Sequence, residues 1–480
     1  MTFGRPSKHI LAFALPLIFG NLFQQLYSMA DSIIVGQYLG VDALAAVGSV
    51  GSLQFLILGF CMGSCAGLAI PIAQRFGAHD EENLRKYVAN SVWLSAAMGL
   101  IVTAITVALA RQILVWMQTP ANIIDEAYAY FAAVLLGIPA MILYNLASSI
   151  MRALGDSKRP LYFLLLSSAL NIVLDLVFII NFHWGCAGAA WATVISQGVS
   201  GVLCVIYIAF KLPVLRIRKE EWKLSGEHLK DLSYMGFPMG LQNSITAIGS
   251  VILSSAVNTL GSGAVAAMTA AGKVQFIFTA PYDSMGMTLA TFAGQNLGAR
   301  KYSRIDKGMR FGILSMFVYS AVSLVVLYFF GTTVALLFVS ASETAILADV
   351  HTFLVINAAT SFLLALLMIV RYIVQGIGYS NYALFAGLFE MVARTLVALI
   401  LVPRMGFTGA SLAKSRCVDR RQRFLIPVLL PFDEEDSRAE RRSSRCVHRI
   451  NNSPFPKESF GSGLFYLFLT MGSFITGSCP

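Results

Sequence analysis

Asp31 and Asp175 each stand inside a long apolar run of the sequence. A charge held in hydrocarbon costs at least ~2.5–3.5 kcal/mol, so an acid in such a place calls for a role. Asn171 precedes Asp175 by four residues, and on a helix that spacing puts both side chains on one face. Carboxylate and amide oxygens are hard donors suited to Na+, and a desolvated carboxylate is equally suited to carrying a proton. The same groups would also serve simply to hydrogen-bond one helix to another, so both readings stand at this point. Uncharged polar groups recur in the other apolar runs, among them Asn21, Gln24, Gln54, Gln242, Asn243 and Gln275. Mixed with Phe276, Phe278, Met285 and Met287, they suit the lining of a greasy, adaptable cavity. Gln24, Gln54, Asn243, Gln275, Asp283 and Met287 are the candidates for substrate contact. Asp283 follows Pro281, so it either faces a cavity at a kink or sits at a helix end in water. Glu390 and Arg394 are spaced to pair with each other, which reads as structural.

The elements that hold these residues must be membrane helices. Of 480 residues, 57% are apolar and only 12% charged, and the mean hydropathy is +0.70. Soluble chains carry about 25% charged residues. Apolar stretches long enough to span a bilayer are expected at about 10–35, 43–70, 87–110, 128–150, 159–181, 187–210, 233–257, 263–293, 309–331, 349–375 and 382–403. The first runs on at full length with no small-residue cleavage site, so it reads as a span and not as a signal peptide. With the N-terminus inside, the cytoplasmic segments hold nineteen Lys and Arg, whereas the opposite loops hold only Arg111 and Arg404. That distribution assigns the net charge of +10 to topology and not to nucleic acid. The cysteines, such as Cys61 and Cys65 in an apolar run, lack metal-type spacing and imply no disulfide framework.

The chain also repeats itself. Pro16 matches Pro238, Asn21 matches Asn243, Leu39-Gly40 matches Leu260-Gly261, and Gln54-Phe55 matches Gln275-Phe276. Gln74 with Gly77-Ala78 matches Gln295 with Gly298-Ala299, Gly155 and Ser157 match Gly378 and Ser380, and Gly185 matches Gly406. The offset stays between 221 and 223. Equivalent points are six helices apart, so both halves enter the membrane with the same polarity, as in a parallel repeat. The expected architecture is therefore an all-α polytopic membrane protein of two six-helix lobes. These are an N-terminal lobe (1–210) and a C-terminal lobe (233–413), joined by a basic cytoplasmic linker (211–232).

Several of these segments resemble signatures of the multidrug and toxic compound extrusion (MATE) transporters, of the NorM/DinF-like kind. They are Met151–Pro160 (MRALGDSKRP), Met29–Gly36 (MADSIIVG), Gly294–Ala299 (GQNLGA), and Glu390 with Arg394. The resemblance covers about residues 8–413. It implies a secondary transporter of the bacterial cytoplasmic membrane, exporting organic cations in antiport with Na+ or H+ by alternating access. It also implies that Asp31, Asn171, Asp175 and Thr193 surround the cation or proton site of the N-terminal lobe. The expected partners are lipophilic cations and the bilayer, with no nucleic acid, and the chain is expected to act as a monomer. No cofactor beyond the coupling ion is expected, and no metal beyond Na+ at those four residues. No Walker motif or HExxH is present, so the energy source is read as an ion gradient. A lipid-linked precursor flippase would want a more basic cavity and more helices. A membrane-embedded enzyme would want clustered catalytic groups, and the six His are scattered.

Past Ala413 the match between halves stops. Residues 414–480 hold eleven Lys and Arg, seven Asp and Glu and three of the seven Cys. Arg420-Arg-Gln-Arg423 does not belong in hydrocarbon, so the twelfth helix is expected to be disrupted and the tail largely disordered. Lys414 to Asp419 is compatible with a single surplus base, whose removal would give Asn-Pro-Ala-Ala-Trp. A non-functional truncated product is the alternative. Resequencing codons 405–425 is expected to find that surplus base; an unchanged reading would make the tail a genuine part of the chain.

Overall fold

The computed structural model describes residues 1–429 except 118, 337, 338, 340 and 341, and describes side chains as far as residue 412, leaving out 41 and 383. The expectation for 430–480 lies outside the described residues. Among those residues the chain is helical throughout, without strands. By contacts it divides into Met1–Val418 and Asp419–Pro480, and of the second unit only a helical backbone to Leu429 is described.

The first half runs α1 (Pro6–Leu39), α2 (Val41–Gly77), α3 (Glu81–Trp116), α4 (Ile124–Leu136), α5 (Ile138–Ala153), α6 (Lys158–Leu176) and α7 (Gly185–Lys211). The second runs α8 (Gly226–Asn258), α9 (Ser262–Gly298), α10 (Tyr302–Ala335), α11 (Thr344–Ala359), α12 (Ser361–Gly376) and α13 (Ser380–Leu429). Starts follow ordinary capping chemistry. Asp80 accepts from the backbone N–H of Asn83 at 3.2 Å, with Glu81 and Glu82 in the first turn of α3 to meet the helix dipole. Eight of these helices are long and apolar enough to cross a bilayer, or ten spans if each bent pair counts once. The bent pairs are α4 with α5, at 43°, and α11 with α12, at 52°. They occupy the expected spans 128–150 and 349–375, so the sequence reading missed the breaks but not the spans. The remaining long helix, α8, is too polar to pass on composition. Its Gln242, Asn243 and Ser244 meet protein instead of lipid: Asn243 donates to the Gly59 carbonyl at 3.1 Å and Ser244 to the Leu56 carbonyl at 2.9 Å.

The repeat is written into the backbone. Besides Gly4 and His183, the described residues in the left-handed region come in pairs: Gly40 and Gly261 (φ 90 and 98), His79 and Arg300 (57 and 56), Gly155 and Gly378 (95 and 106), Gly185 and Gly406 (58 and 58). Gly406 interrupts α13 where Gly185 opens α7, so the second lobe begins its last helix as the first does.

The two lobes meet at the end that carries the basic loops, and they meet by exchange. Gln74 donates to the Gly376 carbonyl at 3.1 Å, and its repeat partner Gln295 donates to the Ala153 carbonyl at 2.7 Å. Ala153 and Gly376 are themselves repeat partners, 223 residues apart. One turn on, Gly77 lies against the Gln295 carbonyl and Gly298 against the Gln74 carbonyl, where a Cβ would collide in either direction. The linker is equally well fixed. Arg85 grips Glu221 at 2.8 Å, the Arg218 backbone N–H reaches the same carboxylate at 2.7 Å, and Trp93 donates to the Trp222 carbonyl at 3.2 Å.

Gly298→Val would overpack the closed seam, at about 1–3 kcal/mol for such insertions. A cysteine placed at Ala290, between the lobes, is then expected to react with an impermeant thiol reagent from the basic side at least about fivefold faster, at 1.4 kcal/mol per tenfold. Unchanged labelling would mean that the seam is not what closes this end. The linker makes a pH prediction. Burial pushes the Glu221 carboxyl up, but the Arg218 N–H and the Arg85 guanidinium outweigh it and hold it below its ordinary 4.5. A carboxyl whose folded value is depressed contributes stability above the ordinary value and loses it as pH falls through the folded one. Hydrogen-exchange protection across 213–222, taken relative to the intrinsic rate at each pH, should therefore fall at acid pH, and Glu221→Gln should show the reduced protection already at neutral pH.

Candidate functional site

Four helices of the first lobe bring polar side chains to one place. α1 carries Tyr27 and Asp31 one turn apart, α6 carries Asn171 and Asp175, α7 carries Thr193 and Gln197, and α4 carries Tyr130. Beyond Asp175 the α6 helix loosens into a π turn over Val177–Asn181, a departure that frequently accompanies functional positions. Asp175 is 0% exposed and Asn171 1%, and Asp31 is half-buried. Asn171 spends its amide on the Thr193 hydroxyl at 3.2 Å. The carboxyls of Asp31 and Asp175 are near enough to interact directly.

The oxygens here outnumber their donors. Asp31 Oδ1, Asn171 Oδ1 and both carboxylate oxygens of Asp175 are shielded from solvent, and no N–H or O–H of the protein reaches them. Orphaned buried acceptors cost about 1–3 kcal/mol each, more when charged. A hard cation or a proton meets that need, and two carboxylates with an amide and a hydroxyl are oxygen donors of the kind such a cation takes. Among the described residues no three His, Cys, Asp or Glu side chains converge as a transition-metal site would require.

Beside this cluster lies an open cavity of about 550 Å³, walled by the first lobe and reached by Met287 of α9. Tyr27, Thr193 and Gln197 line it together, with the Tyr27 hydroxyl beside the other two. Thr193 in turn accepts from Asn171, one turn before Asp175, so this layer separates the cavity from the acids, which do not themselves line it. Gln24, Gln54 and Met287 line the same cavity, and Gln54 lies beside Tyr130. The other three candidates for substrate contact lie elsewhere. Asn243 is committed to the α2–α8 contact. Gln275 lines a separate pocket of about 30 Å³ in the second lobe. Asp283 accepts from the Tyr372 hydroxyl at 3.4 Å and lies 4.0 Å from Arg371. Glu390 and Arg394 pair at 2.6 Å, and Arg394 also donates to Ser250 at 2.7 Å.

Sequence reasoning missed Tyr27, Gln197 and Tyr130. The first two stand four residues from Asp31 and Thr193, so helical spacing could have named them; Tyr130 carries no local signal. The second lobe has no copy of this chemistry. The repeat counterparts of Asp31 and Asp175 are Leu253 and Ala398, and they sit together in one apolar cluster.

The MatE family model matches this chain twice, over residues 16–177 and 238–400. The chain is 30% identical over 354 residues to the probable multidrug resistance protein YoeA of Bacillus subtilis, covering 72% of this chain and 76% of the relative. It is 23% identical over 402 residues to the multidrug export protein MepA of Staphylococcus haemolyticus, covering 83% and 84%. Its fold matches a multidrug resistance MATE family transporter solved in an outward-facing conformation, with a TM-score of 0.81 and 26% identity over 88% of this chain and 94% of that one. With a family model that fills most of both halves, a two-lobe helical fold and a membrane-embedded acid pair, the chain belongs to the MatE family of multi-pass membrane transporters.

Proposed function

We propose that this protein exports lipophilic organic compounds, cations among them, from the cytoplasm in exchange for Na+ or H+, and that Asp31 and Asp175 hold the coupling ion. The observation that carries the reading is the set of four shielded oxygens without donors, contributed by α1 and α6. Each helix supplies one carboxylate. With the site empty the two acids repel; with a proton or Na+ between them they draw together. A ligand shifts a conformational equilibrium only through unequal interaction with its two states, and this pair supplies that inequality. Tyr27, Thr193 and Gln197 then pass the change to the cavity wall. Pro16 gives α1 a place to bend, since it removes a backbone hydrogen bond from that helix. The basic loops assign the closed seam to the cytoplasmic side, so its opening would admit substrate from within.

In proteoliposomes, Asp31→Asn with Asp175→Asn is expected to abolish gradient-driven export of a lipophilic cation while leaving insertion and helical content unchanged. Export at the parental rate by that double variant would sink the proposal. Supplying a Na+ gradient alone, then a pH gradient alone, tells the two coupling ions apart.

A further inference from the structure

Arg152 is the one charged side chain that lines the 550 Å³ cavity. It closes the last turn of α5, where Nη1 donates to Ser148 Oγ at 2.7 Å and Nη2 to Ser149 Oγ at 2.8 Å. A guanidinium carries five N–H donors, so these two bonds leave most of its fork to the cavity. Its charge meets no acid among the described residues; its electrostatic neighbours are Tyr144, Cys65 and Cys204. An arginine held inside a membrane lobe is ordinarily paired, and an unpaired one marks a ligand or ion path. The place of Arg152 in the last turn of α5, at the end that carries the basic loops, suits a cation but supplies no partner acid. At the matching place in the second lobe the residue is Gln375, a neutral side chain bonded to Gln242 at 2.7 Å. The second lobe's own buried arginine, Arg371, lies 4.0 Å from Asp283.

We infer that this cavity binds an amphiphile bearing a single oxyanion, a carboxylate or a phosphate monoester, with its head on Arg152. The fork of a guanidinium suits a planar or tetrahedral oxyanion through two parallel charge-assisted bonds. Tyr144 and Ser157 line the cavity as further polar groups, and Leu58, Met62, Leu161 and Leu164 give an apolar tail its surface. A molecule that also carries an amine can direct it toward Tyr27 and Gln197, which connect to the acid pair. Zwitterions therefore fit the cavity lengthwise, and simple anionic amphiphiles fit its arginine end. This deepens the proposed function by naming a substrate class, and it rests on the cavity being the transported molecule's site.

The test reads binding with no gradient, so its result is separate from that of the coupling experiment. The full chain in nanodiscs is labelled with a diazirine-bearing fatty acid, and the labelled residues are mapped by mass spectrometry. The expected sites are cavity residues such as Tyr144, Asn145 and Leu161. Dodecanoate or dodecyl phosphate should displace the label at a concentration at least tenfold lower than dodecanamide or dodecyltrimethylammonium. The tighter of the two anions identifies a free fatty acid or a phosphate headgroup as the source. Arg152→Gln should bring both anions to the level of the amide, with Arg152→Lys in between. Labelling outside the cavity, equal displacement by anion and amide in the parent, or an anion preference that survives Arg152→Gln would each overturn the inference. The comparison of ligands on the parent protein stands even if Arg152→Gln does not fold.

Discussion

An oxygen with negative charge cannot be left alone in a dry helix bundle. That constraint organises the first lobe. Water satisfies a carboxylate at a protein surface, and a donor satisfies it in a core; Asp175 has neither at its two oxygens. The arrangement around it follows from keeping such a group folded. Asn171 donates to Thr193 and not to the acid, and its own oxygen is left without a donor as well. The lobe is thus built to leave a place where something mobile completes it.

The frame around that place is symmetric and its chemistry is not. Turns and breaks recur in both halves, as does Pro16 in Pro238, down to the same left-handed backbone at four pairs of positions. The acids do not recur: Leu253 and Ala398 fill the counterpart with hydrocarbon. Arg152 likewise faces Gln375 across the repeat, and the second lobe keeps its charges paired in Arg371 with Asp283 and Arg394 with Glu390. A transporter that couples through one lobe needs the other as a rigid counterpart, and apolar packing supplies rigidity without asking for an ion.

Much of this was legible in the sequence because hydrocarbon enforces simple rules. Long apolar runs, the placement of Lys and Arg and the offset between halves gave the spans, the lobes and the parallel repeat. Asp31, Asn171 and Asp175 stood out because polarity is rare there, and spacing put two of them on one face. What did not show was anything decided by a neighbouring helix. Asn243 and Asp283 look like cavity residues by type, but α2 covers the first and Arg371 with Tyr372 the second. The break between α4 and α5 falls at Gly137 before Pro139, a weak signal in an apolar run; that between α11 and α12, at Thr360, carries no glycine or proline at all. Arg152 was visible as part of a motif and as one of the cytoplasmic basic residues, and its lack of a partner acid is a property of the assembled lobe.

The crossing of Gln74 and Gln295 has the form of an isologous contact, in which residue i of one unit meets j of the other while j meets i. That is the geometry of a two-fold homodimer, here carried inside one chain. Each hydrogen bond contributes only about 0.5–1.5 kcal/mol net. Because an axis relates them, rotation of one lobe against the other stretches both at once and neither can slip first. Two weak clasps related in this way share the strain of such a rotation equally, as the two halves of a homodimer contact do.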